Sequence, residues 1–332
     1  MLGAPTDKIP AAVQPGPTGL PDRHEPVRGP RSLIRPYRGL PIQPTLGLPP
    51  LIMPSTRTQL SLGAAVPALQ TGRSRNSATT HNADHPADHS EQRFAHDGLA
   101  AVRRASVTLH EIVDAMDDAA MHGPSRLDGW TRGHVVSHLA RNADGLVNLL
   151  SWARTGIEHP MYASGVDREA DIEEGAQRLA QVQREDLRAA HQRFLDAADG
   201  LTSDDWAAKV TDRRGWAVVA SFVPWARLTE IVVHLVDLNA GIDFERATDL
   251  VGPQAEPFVD YVVTRYADRT DVPPVRLAVD LPTGGQRIWT LGESSPTHDV
   301  QGQVSAMSAW LTGRSDGSDG LTGDVPRLPA WL

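Results

Sequence analysis

Glu230 and His234 stand four residues apart in RLTEIVVHLVDLN, the most apolar helical stretch of the chain. On a helix they project from one face, one turn apart, a spacing that suits two ligands on one metal ion. Their neighbours Ile231, Val232, Val233 and Leu235 are apolar, so an unpaired carboxylate there would be costly and a metal-paired one reasonable. A third ligand must come from another element. His138, flanked by Val135, Val136 and Leu139, can reach the same point if two helices of a bundle face each other. Two histidines and a carboxylate match catalytic zinc, which keeps three protein ligands and an open position. Non-haem iron takes the same donors. The residues equally suit a plainer arrangement, with Glu230 and His234 as a satisfied i,i+4 polar pair and His138 as a core histidine. His134 competes, being four residues before His138. Its place in the first turn after Thr131 predicts partial exposure and a capping or supporting role. Arg314 heads the Gly/Asp-rich stretch GRSDGSDG and can hold a carboxylate with two parallel N–H bonds, or be an ordinary surface arginine.

Other chemistries are absent. There is no HExxH, GxSxG, P-loop or GxGxxG, and DGSDG lacks EF-hand spacing and reads as a turn-rich loop. The 332 residues include no cysteine, which excludes disulfides, thiolate zinc sites and a cysteine nucleophile. The net charge of −9 is uneven: residues 1–90 carry 9 Lys+Arg against 5 Asp+Glu, which leaves 23 against 36, or −13, for the rest. An acidic body argues against nucleic acid and anionic membrane surfaces as partners. No apolar run reaches about 18 residues and no secretory pattern opens the chain, so a cytoplasmic location and a monomer are expected.

The elements that must position these residues read as mainly α. Residues 1–90 hold 15 of the 26 prolines and read as a disordered Pro/Arg-rich extension. From Glu91 a helix carries Leu99, Val102, Val107, Leu109, Ile112, Val113 and Met116 as one buried stripe. Thr131 is a good N-cap for a second helix with Val135, Val136, Leu139, Ala143, Leu146, Val147 and Leu150. A third helix is predicted over residues 171–198 with Leu179, Val182, Leu187, Phe194 and Leu195 inside. The fourth starts at Pro224 and runs to Gly241 as C-cap. Four such helices suggest a bundle over residues 91–246. Residues 247–332 read as a small α+β domain, with a helix near 253–268, strands VRLAVD and RIWTLG about the turn PTGGQ, and a short helix near 303–311.

Four blocks resemble a known family: LDGWTRGHVVSHLARNADGLVNLLSWARTG, HPMY, PWARLTEIVVHLVDLNAG and the tail GRSDGSDGLTGDVPRLPAWL. They are similar to mycothiol-dependent maleylpyruvate isomerase, within the DinB-like metal-binding superfamily, over residues 95–332. The resemblance implies a DinB-like four-helix bundle carrying zinc, with His138, Glu230 and His234 as ligands, then a smaller C-terminal domain resembling sterol-carrier-protein folds. Arg314 falls on the family's functional arginine. The implied reaction is conversion of maleylpyruvate to fumarylpyruvate in gentisate breakdown. A C=C bond rotates only once its π character is removed, and reversible addition of a thiolate removes it. A chain without cysteine must borrow that thiol, here mycothiol, which the open zinc position would keep ionised. Two other functions use the same features: a mycothiol-dependent S-transferase acting on electrophiles, and a non-catalytic metal-binding sensor or interaction module.

Overall fold

The computed structural model describes residues 89–267 and 269–331; the Pro/Arg-rich extension lies outside them except for its last two positions. Helices dominate, and the strands are confined to a small hairpin and a C-terminal sheet. Four long helices form the bundle: α1 (Ser90–Asp114), α3 (Arg132–Thr155), α5 (Ala180–Asp199) and α7 (Val223–Asp237). Helix α1 packs on α7, α7 on α3 and α3 on α5, which returns to α1. Short helices α2 (Asp118–His122), α4 (Gly165–Ala176) and α6 (Ser203–Ala207) fill the connections.

Close packing fixes α7, the helix with Glu230 and His234. A Cβ added to Gly98 of α1 would lie 3.0 Å from both Pro224 and Trp225. Trp225, Leu228, Ile231, Val232 and Leu235 are fully buried, each contributing roughly 1.5–3 kcal/mol. That apolar burial outweighs the cost of placing a few polar groups on the same helix.

Three expectations from the sequence are corrected here. In α1, Val107 is 57% exposed; the buried stripe runs instead through Ala95, Leu99, Val102, Ala105, Leu109 and Val113, with small alanines admitting α7. The predicted third helix is two helices. The Gln183 side chain donates to the carbonyls of Ala176 and Arg178 at the end of α4, and Asp118 accepts from the Ala180 N–H at the start of α5. The break leaves Leu179 and Val182 exposed. Helix α7 ends at Asp237, four residues before Gly241. Asn239 turns the chain with φ 52°, and Arg132 takes up the carbonyls of Leu238 and Asn239.

Beyond α6, β1 (Lys209–Thr211) and β2 (Ala217–Val219) pair as an antiparallel hairpin. After α7 come α8 (Phe244–Asp249), α9 (Ala255–Thr264), β3 (Val275–Asp280), β4 (Gln286–Leu291), β5 (His298–Gln303), α10 (Val304–Leu311) and β6 (Leu321–Gly323). The sheet order is β4-β3-β5-β6, with β3 antiparallel to β4 and parallel to β5. One apolar core runs from the bundle through α8 and α9 into this sheet. Among the described residues no helix is long and apolar enough to cross a membrane.

Candidate metal centre

Helix α3 starts at a capping box: the Thr131 hydroxyl accepts from the His134 N–H, and His134 Nδ1 accepts from the Thr131 N–H at 3.2 Å. The Nε2 of His134 lies 3.0 Å from Glu173. His134 is therefore a capping residue turned away from the other histidines, and it is buried rather than partly exposed.

One turn further, His138 reaches α7. Its Nε2 lies 2.9 Å from Glu230 Oε2, and His234 Nε2 lies 3.2 Å from the same oxygen. The two rings cross at 83° with centroids 4.7 Å apart. One candidate ligand atom from each of the three residues falls within 4.8 Å of the others. They sit in the wall of a cavity of about 1100 Å³ whose other contributors include Asn142, Arg168, Arg314 and Trp331. Leu146, Leu149, Phe222 and Val223 make part of it apolar.

The outer partners of the two histidines differ. His234 Nδ1 faces Asp237 Oδ2 at 2.8 Å, an acceptor that holds the proton on Nδ1 and turns Nε2 toward Glu230. Asp237 is gripped in turn by Arg314, whose Nη2 donates to Oδ2 at 2.8 Å and whose Nε donates to Oδ1 at 3.3 Å. Arg314 Nη1 donates to the Thr312 carbonyl. Arg314 thus reaches the cavity from the C-terminal part, with most of its fork spent on a carboxylate of the protein. Behind His138 stands a cation: Arg168 Nη2 donates to His138 Nδ1 at 3.0 Å, which leaves the proton on Nε2, facing Glu230. A metal at that Nε2 requires the other tautomer and withdrawal of Arg168 from Nδ1.

Electrostatics separate the two rings in the same way. Burial pushes His138 down to about 4, although Glu230 opposes the shift. Burial also disfavours charge on His234, but hydrogen bonds to Asp237 and Glu230 outweigh it and raise the ring above its ordinary value. Burial alone would push the Glu230 and Asp237 carboxyls up; hydrogen bonds from His138 and His234 to Glu230, and from His234 and Arg314 to Asp237, hold both down. Two nitrogens and an oxygen aimed at one point are a donor set for a divalent cation.

Sequence reasoning missed four residues of this site. Asp237 and Arg227 are polar residues in the apolar run of α7, each three positions from a candidate ligand, and Asn142 follows His138 by one turn. Their spacing was a usable signal. Arg168 lies in the highly charged DREADIEE, where only the packing of α4 on α3 singles it out.

Residues 102–239, which contain His138, Glu230 and His234, match the family described as mycothiol maleylpyruvate isomerase N-terminal domain. Among solved structures, the crystal structure of the mycothiol-dependent maleylpyruvate isomerase is 26% identical, with a TM-score of 0.60, covering 73% of this chain and 97% of that one. The structure of a histidine-to-alanine mutant of that isomerase is similar at 25% identity, with a TM-score of 0.59 and the same coverage. No curated protein matches the chain. Residues 102–239 therefore resemble the mycothiol maleylpyruvate isomerase N-terminal domain, and over 73% of its length the chain shares the fold of the solved isomerase.

Proposed function

We propose that the chain is an enzyme, a mycothiol-dependent cis–trans isomerase that converts maleylpyruvate to fumarylpyruvate in gentisate degradation, with zinc held by His138, Glu230 and His234. The observation that carries the reading is the convergence of those three side chains in one cavity wall, within the domain that matches the isomerase family. Zinc is preferred because two imidazoles and one carboxylate leave a position open, as catalytic zinc does. When bound, zinc supplies Lewis acidity that keeps a thiol ionised at neutral pH, and mycothiol supplies the reversible nucleophile that a chain without cysteine lacks.

The remaining work belongs to the chain. Asp237 holds the His234 ring and its proton. Arg314 holds Asp237, and the guanidinium N–H groups not taken by Asp237 or Thr312 are available to a substrate carboxylate. Leu146, Leu149, Phe222 and Val223 make one side of the cavity apolar, and polar contacts against an apolar wall are stronger than in water. A cytoplasmic location follows from dependence on an intracellular thiol.

The test is incubation of the purified protein with maleylpyruvate, with and without mycothiol, following fumarylpyruvate. Formation only when the thiol is present is expected. Equal rates without it would sink the mechanism, and turnover only of unrelated electrophiles would move the assignment to an S-transferase.

A further inference from the structure

The face of α3 that borders the cavity reads His138, Asn142, Leu146, Leu149, spaced by four, four and three residues along one side of the helix. Asn142 is the polar group nearest His138 on that face, and it is 4% exposed. Opposite it, Arg227 of α7 is fully buried and donates from Nη1 to the Leu139 carbonyl at 2.7 Å and to Asn142 Oδ1 at 2.9 Å. A guanidinium only donates, so the Asn142 atom it meets must be the carbonyl oxygen, and the amide cannot be turned round. The Asn142 NH₂ then faces away from Arg227. It is not among the buried, unpartnered nitrogens of the described residues, whereas Arg227 Nε and Nη2 are. A buried arginine with two nitrogens unpartnered is an expensive way to hold two carbonyl oxygens. It becomes intelligible if the direction of one of them matters.

We propose that Asn142 is a substrate-binding donor whose side-chain NH₂ meets the ketone oxygen of an oxo acid in the cavity, with Arg227 as the positioning residue that locks the amide. The proposal rests on the isomerase reading for its substrate. When a thiolate adds to the C=C bond of a conjugated oxo acid, the new C–S bond displaces the π pair onto the ketone oxygen as an enolate. When that pair returns, the C–S bond breaks and the thiolate leaves, with no net change of protons or electrons. A neutral N–H donor held at that oxygen stabilises the charge where it develops and needs no reorganisation to do so.

Asn142→Asp separates this role from a structural one, because aspartate keeps an acceptor for Arg227 and removes the donor. Expected are a fall in kcat of about a hundredfold or more, a zinc content equal to wild type and an unchanged melting temperature. Asn142→Ala should lose kcat similarly and also lose stability, since Arg227 is left unpaired. Arg227→Met should lower kcat with zinc retained; if that variant does not fold, the two Asn142 variants decide. Wild-type kcat in Asn142→Asp would overturn the proposal. If the wild-type protein does not isomerise maleylpyruvate, the isomerase reading fails separately, and pyruvate then serves as the probe of Asn142. A shift of the Asn142 side-chain ¹⁵N resonance on adding pyruvate upholds the donor, and no shift overturns it.

Discussion

The bundle holds two histidine pairs of similar shape in different electrical surroundings. His138 and His234 cross at 83° with centroids 4.7 Å apart, and His110 and His191 cross at 66° with centroids 5.3 Å apart. The first pair shares Glu230, with Asp237 behind His234. The second lies among cations. Burial and then Arg227 push His191 down to about 3, and burial and then Arg188 lower His110, with Asp114 opposing. Proximity of two imidazoles is therefore not what marks a metal centre. What separates the pairs is Glu230, a carboxylate oxygen shared by both rings of the first and available to a cation there, whereas burial and nearby arginines lower both rings of the second.

Removing the acid behind one ligand should have the largest effect. Asp237→Asn is expected to weaken zinc affinity roughly 10- to 100-fold, measured by competition with a chromophoric chelator. Arg168→Gln should leave affinity unchanged or tighter, because it releases His138 Nδ1. Equal losses in both variants would erase the distinction between the two flanks. Arg314→Met should come next, lowering turnover by at least about tenfold through lost charge and carboxylate binding, while elemental analysis still finds zinc. Zinc loss in step with activity would instead make Arg314 a support for Asp237 alone.

The smallest effect concerns the pair His110 and His191. His191 has a folded value of about 3 against 6.5 for the ordinary imidazole. The unfolded chain therefore binds a proton that the fold refuses. This costs nothing above pH 6.5 and opposes folding progressively as the pH falls toward 3. His191→Leu should remove about 1 kcal/mol of the stability lost between pH 6 and pH 5, read from urea melts at the two values. An unchanged acid slope would show that the ring is not held neutral.

How much of this was legible in the sequence depended on whether the information was local. The Glu230/His234 spacing, the Thr131 cap and the centre of α3 at His138 all follow from the helical period, and the structure brings those side chains together. The break between α4 and α5 was hidden because AQRLAQVQ carries no glycine or proline, and the side chains that settle it are Gln183, in the first turn of α5, and Asp118, from α2. Strand β5 escaped notice because HDVQGQ has little apolar alternation. Only Val300 and Gly302 are buried, and the strand exists because β3 and β6 pair with it. Arg168 is the same problem at the site, a surface-like residue placed by tertiary packing.

The most direct measurement is the zinc content of the purified full-length protein beside two histidine variants, one from each pair. One zinc per chain in the wild type, lost in His234→Ala and kept in His191→Leu, is the predicted result. Wild-type protein without a stoichiometric divalent metal, or a His234→Ala protein that retains it, would contradict the assignment of the centre.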